Sequence, residues 1–458
     1  MKIAYYCIGN FSEFLYFSSR VSKHESSFYV QNFKGQQFFN SLHEKAPVYY
    51  QYRNFNEVHG ALDKKKSPLN YNVIFQADKS HFKKRYSGAG VRDIIDTFYN
   101  IFKNIISEDK PDFVFFPIIE SLDAMVLYEL ARAEGIGTIV YSHARVLPFS
   151  FLSNSKYENF PKFFYENRSS SSFSEEALSR LRSKNSRVSD QMAETIDSIE
   201  GSDICFSPTY PRPFTRLLKN IYFQLTLEKH NACLSNWIKL QVYFERLLVP
   251  AGLIAQRLVE KFVLKSLSAS KYPKIYNCFP LHFSPESSIN TPAPFYIDQE
   301  RVIDRILLSD TKPLLLREHP ALFGKRRLSF YKRIIRKPNV YFTKLDDSVH
   351  DLIAGSEMIF SVTGTVMIEA FFKGKKFRQF GKNYFSCFID WCNENSLSDE
   401  IRPQLLVNLI VNNCSRFIVL PHSQKNLGLN RALFSRENIQ SLNKALEDHV
   451  KNSEKIVS

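Results

Sequence analysis

Apolar runs short enough to be β-strands alternate with stretches of helical periodicity in two separate parts of the chain, a pattern typical of parallel sheets covered by helices. In the first part, which ends near residue 150, the apolar runs predict strands at 2–8, 72–76, 113–117 and 138–142. Apolar residues at helical spacing predict helices between them, at 91–106 and 122–133. We therefore expect a βαβ series in this part of the chain.

The same alternation returns at residue 274. It predicts strands at 274–281, 312–320, 340–342, 358–361 and 376–380. The helices predicted between them lie at 299–309, 326–336, 349–354 and 366–372. The fold class expected is therefore α/β, with two Rossmann-like domains that face each other across a cleft at the carboxyl ends of their strands.

The residues between the two series differ in character from both. The segment from about 150 to 200 contains a serine run and a charged stretch of helical spacing, and we expect a surface insertion there. Basic amphipathic helices are predicted from 212 to 266, and serine and proline at 268–273 mark a boundary. We predict an N-terminal domain at 1–270, with a helical insertion at about 150–268, and a C-terminal domain at 271–430. A helix at 431–458 is expected to pack back on the first domain.

The composition excludes a mainly disordered or fibrous chain, because 44% of the 458 residues are hydrophobic and 23% are charged. The seven cysteines are scattered without a CxxC pair, which disfavours a disulfide framework and a zinc site. No apolar run reaches the roughly 18 residues of a membrane-spanning helix, and the first residues lack the apolar core of a signal peptide. We therefore expect a cytoplasmic protein.

The formal net charge of +15 favours a polyanionic partner, such as nucleic acid, anionic lipid or a phosphorylated substrate. A nucleic-acid-binding protein would concentrate basic and aromatic residues on one face, whereas here the charges are spread over both halves without a recognised motif. We therefore expect no nucleic acid as a partner. The basic segment 212–265 could dock on the inner face of the cytoplasmic membrane, or its lysines could simply lie in solvent.

The first candidate for a functional site is REHP, residues 317–320, at the end of an apolar strand. Pro320 ends the strand and keeps His319 out of a helical conformation, so the imidazole is expected at the sheet edge with Arg317 nearby. A phosphate would be well placed there. The alternative is a histidine that only packs beside a proline turn.

The second candidate is a turn between a strand and a helix, where Ser361, Thr363, Gly364 and Thr365 follow one another closely. Hydroxyl groups and the backbone N–H groups of a helix start favour an anion, so the turn is predicted to bind phosphate. Glu369 would then reach the adjoining ribose hydroxyls. Alternatively, the threonines only cap the helix and Glu369 is a solvated helix carboxylate.

The third candidate is the proline-broken loop that follows the first strand of the second series. His282, Glu286, Ser287 and Ser288 cluster there and offer a carboxylate and hydrogen-bond donors for catalysis or for positioning the donor. A purely structural loop is the alternative.

Polar residues also follow two strands of the first series. Glu120 and Asp123 lie where a strand ends and a helix begins, and His143 and Arg145 follow the next strand. One carboxylate could be the base that deprotonates an acceptor hydroxyl, with His143 and Arg145 close to the donor sugar or the acceptor. Either carboxylate could instead only stabilise the first turn of its helix.

Three elements considered together resemble a known family. The PLHFSPESSI loop, the REHP element and the serine–threonine turn followed by Glu369 resemble, in this order, the capsular polysaccharide synthesis glycosyltransferases. That family includes Kdo transferases that use CMP-Kdo, and its HP and serine motifs are similar to those of bacterial GT-B sialyltransferases. The resemblance covers about 275 to 385, whereas the N-terminal half matches only in architecture.

The resemblance implies a GT-B fold and roles for individual residues. Glu286 takes the acidic position of the first C-terminal loop and is implied to be catalytic, although one glutamate after a proline stands where Kdo transferases carry paired aspartates. The implied nucleotide-binding residues are Arg317, His319, Pro320, Ser361, Thr363, Gly364, Thr365 and Glu369.

The expected activity is transfer of a ulosonic acid, either Kdo or a sialic-acid-like nonulosonate, from a CMP-activated donor to a glycan or lipid-linked acceptor of a bacterial surface polysaccharide. A histidine, hydroxyls and a helix N-terminus could stabilise the single phosphate of leaving CMP, so we expect neither a metal nor a cofactor besides the CMP-sugar co-substrate. Glu120 or Asp123 would be the base in a direct displacement, and Glu286 the nucleophile in a double displacement. An enzyme of the same fold with a UDP-sugar or another nucleotide donor is the alternative.

Overall fold

The structure is a computed structural model that describes residues 1–8, 11–31, 33–42, 47–51, 58, 65–77, 88–145, 149–161, 165, 175–183, 188, 272–282, 289, 291–319, 326, 328–344, 347–416 and 433–457. Some of the predicted features lie outside these residues: Glu286, Ser287, Ser288, Pro320 and the basic segment 212–265.

The first sheet contains strands β1 (Lys2–Cys7), β2 (Glu25–Val30), β3 (Val48–Tyr50), β4 (Phe113–Phe116), β5 (Gly137–His143) and β6 (Phe149–Ser153). They lie in the order β6-β5-β4-β1-β2-β3, in which β1 to β5 are parallel and β6 is antiparallel to β5. The order reverses between β1 and β4. Open α/β sheets bind their ligands in the crevice at such a reversal, outside the carboxyl ends of the strands.

Helices cover both faces of this sheet, so β1 is an almost continuous apolar run. Its Ala4 and Tyr6 pack in one core cluster and its Ile3, Tyr5 and Cys7 in another, as the alternation of a strand requires. The helices are α1 (Phe11–Val21), α2 (Phe33–Asn40), α3 (Tyr71–Ala77), α4 (Gly88–Asp109) and α5 (Leu122–Ala133).

The second sheet repeats the same plan. Its strands β7 (Asn277–Pro280), β8 (Leu314–Arg317), β9 (Val340–Phe342), β10 (Met358–Ser361) and β11 (Lys376–Gln379) are parallel and lie in the order β11-β10-β7-β8-β9. The order reverses between β7 and β10, so the ligand crevice of this sheet lies there.

The helices of the second body begin at side-chain caps in several places. Asp298 accepts a hydrogen bond from the Glu300 N–H at the start of one helix, and Asn383 and Ser386 form a reciprocal capping box at another. After α6 (Glu175–Ser183), the helices are α7 (Gln299–Ser309), α8 (Leu328–Ile334), α9 (Val349–Gly355), α10 (Val366–Phe372), α11 (Tyr384–Glu394) and α12 (Arg402–Asn413).

The chain then returns to the first sheet. Strand β12 (Ser415–Arg416) pairs antiparallel with β6, and α13 (Arg436–Val457) packs on α1. The Asn443 side chain donates to the Ser18 carbonyl over 3.0 Å in this contact. The last helix is therefore part of the first body, although it ends the sequence.

The two bodies share a hydrophobic core and contact each other through loops. The tilted rings of Phe160 and Tyr384 pack together with centroids 4.7 Å apart, and the Tyr384 hydroxyl donates to the Ala144 carbonyl. The Thr291 hydroxyl donates to the Ile119 carbonyl over 2.6 Å. Since Ile119 and Ala144 follow β4 and β5, the carboxyl edge of the first sheet faces the second body. The predicted fold class, two Rossmann-like bodies in the GT-B arrangement, is confirmed.

Two element predictions in the first body are wrong. Residues 72–76 form helix α3 instead of a strand, because a short apolar run cannot be told from one buried helix face by periodicity alone. The surface insertion expected from about 150 begins instead with β6, whose five residues are all buried. Leu178 and Leu181 of α6 are also buried, in the core that both bodies share.

Candidate functional site

The candidate site lies in the crevice of the second sheet. Neighbouring strands β7 and β10 are parallel there, with Cys278 beside Ile359, so the residues that follow both strands meet at one edge. His282 follows β7 and Ser361 ends β10. The structure therefore brings together two predicted site residues that are 79 positions apart in sequence.

Hydrogen bonds fix the His282 ring against the turn. Ser361 Oγ lies 2.9 Å from His282 Nε2, and the Val362 N–H donates to the same nitrogen over 2.9 Å. The Gly364 N–H donates to Ser361 Oγ over 3.0 Å. A backbone N–H can only donate, so Nε2 is the acceptor and the neutral ring carries its proton on Nδ1. The fully buried Ser361 hydroxyl therefore orders the turn.

Gly364 is the residue that lets the turn approach this ring so closely. A Cβ atom at position 364 would lie 2.7 Å from His282 Cε1 and 2.9 Å from Ser361 Oγ, closer than non-bonded carbon and oxygen atoms pack. Thr363 is fully buried and its carbonyl accepts from Asn383 Nδ2 over 3.3 Å. Only the side chain of Thr365 among the three hydroxyl residues of the turn is exposed.

The ionisation of His282 follows from these surroundings. Burial lowers the pKa of its imidazole to about 3, and the neighbouring His319, Arg145 and Arg326 act in the same direction. His282 is therefore neutral at physiological pH and serves as a fixed acceptor. The cations around it come from both bodies, since Arg145 follows β5 of the first sheet.

A buried carboxylate holds the loop that carries His319. Glu318 accepts from the Tyr331 hydroxyl over 2.6 Å, from Arg326 Nε over 3.0 Å and from the His319 N–H over 2.8 Å. Arg326 Nη2 also donates to the His282 carbonyl over 3.0 Å. One polar network therefore positions both histidines.

Three residues that support the site, Gln299, Glu318 and Arg326, were not predicted from the sequence. Gln299 binds both backbone groups of His282, with its Oε1 2.8 Å from the N–H and its Nε2 2.9 Å from the carbonyl oxygen. Glu318 lies inside the REHP element, but both faces of the preceding strand are buried, so periodicity did not mark it. No sequence signal marks Gln299 or Arg326 either, because their partners are set by tertiary packing.

The other residues predicted on β8 lie at the same edge. Arg317 Nε donates to the Asp347 carbonyl over 3.0 Å, and burial lowers the pKa of its guanidinium. His319 is half-buried and close enough to His282 for its charge to affect that ring. His319 thus lies beside the crevice between β7 and β10, whereas Arg317 is tied to the residues that follow β9.

Glu369, for which a ribose contact is expected, makes buried contacts within the chain. Its carboxylate is buried, accepts from the Val188 N–H over 2.6 Å and lies 3.7 Å from His350 Nδ1. These contacts join α10 to the residues between the two sheets and to α9. The structure therefore gives Glu369 a role in packing the two parts of the chain together.

The candidate residues of the first body lie in two regions, one at the end of β5 and one just after β4. Arg145 forms an ion pair with Glu158, with Nη2 2.5 Å from Oε2, and its charge reaches the second body. His143 is half-buried, with its Nδ1 3.4 Å from the Tyr141 hydroxyl. His143 ends β5 and Arg145 follows it, next to Ala144, whose carbonyl contacts α11.

The two candidate carboxylates lie at the crevice of the first sheet. Asp123 is buried, and its Oδ2 accepts from the Tyr6 hydroxyl over 2.7 Å while Oδ1 lies 3.3 Å from Gln31 Nε2. The Asp123 charge contributes to a pKa of Tyr6 well above its usual value, after burial of that phenol. Glu120 is half-buried and directly follows Ile119, which contacts the second body.

The residues that the structure describes were also compared with the requirements of a metal site and of a membrane-spanning helix. Within those ranges, no group of three histidine, cysteine, aspartate or glutamate side chains is placed to hold a metal ion. Over the same ranges, no helix combines the length and the apolar character needed to cross a membrane.

Comparison with known proteins adds weak likenesses. No protein family and no curated protein sequence matches the chain. Among solved structures, the chain is similar to a Thermosulfurimonas dismutans KpsC β-Kdo 2,7 transferase, with 9% sequence identity and a TM-score of 0.32. That alignment covers 73% of this chain and 92% of the transferase. A Methanocaldococcus jannaschii UDP-GlcNAc 2-epimerase is 10% identical with a TM-score of 0.24, over 98% and 99% of the two chains. The fold assignment rests on the strand orders of the two sheets.

Proposed function

We propose that the protein is a glycosyltransferase that moves a ulosonic acid from a CMP-activated donor to a glycan or lipid-linked glycan acceptor. The observation that carries the proposal is the crevice between β7 and β10, where Ser361 and His282 order the turn and Arg326 binds the His282 carbonyl, while the charge of Arg145 reaches that ring from the first body. An anion held between two Rossmann-like bodies fits a nucleotide sugar, because its phosphate lies between the nucleoside and the transferred group. The choice of CMP is supported by the sequence resemblance of the same loops.

The cationic residues have separate tasks in this proposal. His319 binds the phosphate of CMP, since it follows β8 beside His282, and Arg317, the last residue of β8, assists. Glu318 and Arg326 position His319, and Ser361 positions His282. Fixed positive charge next to the phosphate stabilises the negative charge that develops as CMP leaves, without a metal ion.

We assign the general base to Glu120 in preference to Asp123. The Asp123 carboxylate is buried and already accepts from Tyr6 and Gln31, whereas Glu120 is half-buried on the segment that contacts Thr291 of the second body. The acceptor hydroxyl attacks the anomeric carbon, and the bond from that carbon to the phosphate oxygen breaks with its electron pair on CMP. Glu120 takes the proton of the hydroxyl.

Nucleotide-dependent thermal stability tests the proposal. A ligand that binds only the folded chain raises its stability, so CMP at about 100 times its dissociation constant should raise the melting temperature by a few degrees. UDP, GDP and ADP should have smaller effects. The His319→Ala variant should lose the response to CMP, whereas His24→Ala, at the amino end of the first sheet, should keep it.

The outcomes separate the parts of the proposal. A larger response to UDP than to CMP would reject the CMP donor and retain the nucleotide site. No response to any of the four nucleotides would reject the crevice as a nucleotide site. A response to CMP that survives in His319→Ala would reject the role of the HP element.

A further inference from the structure

An unusual backbone conformation marks an ion pair at the junction of the two bodies. Arg145 and Glu158 both have positive φ angles, 61° and 54°, although neither is a glycine. Left-handed backbone costs such residues on the order of 1 kcal/mol each, so it persists only where the surrounding structure requires it. Here the two strained residues are each other's partners, with Nη2 and Oε2 2.5 Å apart.

The ion pair is also shielded from solvent. The Arg145 side chain is 12% exposed and that of Glu158 22% exposed. A charge-assisted contact of this kind holds the guanidinium in one orientation, unlike the mobile arginines of a protein surface. The structure therefore fixes the direction of one positive charge at the cost of backbone strain.

Further contacts tie the same loop to the candidate site. The Ala144 carbonyl, next to Arg145, accepts from the Tyr384 hydroxyl, and Asn383 beside Tyr384 donates to the Thr363 carbonyl over 3.3 Å. Thr363 belongs to the turn that His282 and Ser361 order. The positive charge of Arg145 is accordingly one of those that lower the pKa of His282.

We propose that Arg145, oriented by Glu158, binds the carboxylate of the transferred sugar and so selects donors whose sugar is an acid. The proposal rests on the proposed function and names the group that the first body recognises. A guanidinium is a planar fork of N–H donors that matches a carboxylate in two parallel hydrogen bonds. Most nucleotide sugars carry a hydrogen at the position where a ulosonic acid carries this group, so they would lack the contact.

The chemistry of the donor explains why the cations come from two bodies. In a CMP-linked ulosonic acid, the carboxylate and the phosphate oxygen are attached to the same carbon, so two anionic groups lie side by side. Arg317 ends β8 of the second sheet, His319 follows it, and both are assigned to the phosphate. Arg145 approaches from the opposite body and is therefore available to the second anion.

Calorimetric titration with two probes tests the role of Arg145. The probes are CMP and CMP linked to Kdo or to N-acetylneuraminate, whichever binds the unchanged chain more tightly. Arg145→Asn removes the charge while keeping a residue that accepts left-handed backbone. We expect it to weaken the CMP-linked acid about 10- to 100-fold, as loss of a charged hydrogen bond does, and to change the affinity for CMP less than about 2-fold.

Two further variants keep the test specific. Arg145→Lys retains the charge without the fork and should weaken the CMP-linked acid less than Arg145→Asn does. Arg301→Asn removes a positive charge from an 84% exposed side chain and should leave both affinities unchanged. Melting temperatures near that of the unchanged chain would show that the variants are folded.

Each remaining outcome overturns a defined claim. Equal weakening of both probes in Arg145→Asn would assign Arg145 to the phosphate and overturn its contact with the carboxylate. Unchanged affinity for both probes would overturn any role in donor binding. If the unchanged chain binds neither probe, the proposed function fails and this inference fails with it. The first two outcomes, by contrast, overturn only the role of Arg145 and leave the proposed function standing.

Discussion

The crevices of the two sheets have the same position in the strand order and different chemistry. In the second sheet, neutral His282 and Ser361 lie among cationic side chains of both bodies. In the first sheet, between β1 and β4, the buried carboxylate of Asp123 accepts from the uncharged Tyr6 and Gln31. Strand order therefore decides where a crevice lies, and the residues that follow the strands decide whether it suits an anion or a hydroxyl-bearing molecule.

The largest expected effect comes from filling the second crevice. In Gly364→Ala, the added methyl group would press on His282 Cε1 and Ser361 Oγ, at 2.7 and 2.9 Å, so the ring and the turn must separate. We expect CMP binding to weaken about 100-fold or more and stability to fall by about 1–3 kcal/mol, as overpacking does. Calorimetry and denaturant unfolding measure the two effects.

Gly374→Ala provides the matched control. Gly374 has a φ of 63° and no atom near its would-be Cβ, so alanine there costs stability through backbone strain alone, away from the crevice. It should destabilise the chain by about 1 kcal/mol and leave CMP binding unchanged. Equal CMP affinity in Gly364→Ala and the unchanged chain would show that the turn does not form the nucleotide site.

The next largest effect is expected at the first crevice, where a substitution should lower the stability of the chain without changing its affinity for CMP. Asp123→Ala leaves the Tyr6 hydroxyl and the Gln31 amide without their acceptor in a buried place. This should cost about 2–3 kcal/mol of unfolding free energy, as an unsatisfied buried polar group does. CMP affinity should remain within about 2-fold of that of the unchanged chain, because the nucleotide binds at the other crevice.

Ser361→Ala is the counterpart at the second crevice. It removes the hydroxyl next to His282 Nε2, but the Val362 N–H still donates to that nitrogen, so the loss of stability should be smaller, about 1 kcal/mol. Its CMP affinity should nevertheless fall about 10-fold, because the turn loses its order. A larger effect on CMP binding from Asp123→Ala than from Ser361→Ala would reverse the assignment of the two crevices.

The sequence predicted the second sheet better than the first for a physical reason. Strands β9 and β10 and helices α7 and α10 have the predicted bounds, since each is a short apolar or periodic run between turn residues. The first body contains β2, whose sequence ESSFYV begins with three polar residues and was not predicted. Its pairing with the apolar β1 stabilises it, and that is a tertiary effect.

The site was predictable in location and less so in detail. Residues that follow parallel strands lie at one sheet edge, so His282 and Ser361 were expected at the same edge, but their direct contact depends on the pairing of β7 with β10. The partner of each side chain could not be predicted, because packing between distant segments of the chain determines it. Glu369 shows this, since the N–H that it binds, that of Val188, is 181 positions away.

The smallest expected effect is an acid sensitivity that the second crevice should show and the first crevice should not. The pKa of His282 is about 3 in the folded chain and about 6.5 in the unfolded chain. Between these values the unfolded chain binds a proton that the folded chain does not, so the contribution of His282 to stability is complete above pH 6.5 and is lost as pH falls. From pH 6.5 to 5 this should remove about 1 kcal/mol, allowing for partial exposure of the ring.

His282→Asn should therefore lose less stability than the unchanged chain over this pH range, as measured by urea unfolding at several pH values. His449 on α13 is the control, because burial lowers its pKa to about 4 and the same argument applies. His449→Gln should also flatten the pH dependence, but it should leave CMP binding intact, whereas His282→Asn should weaken it. If His282→Asn kept the full pH dependence, the ring would not be held neutral by the second crevice, and the contrast between the two crevices would lose its electrostatic basis.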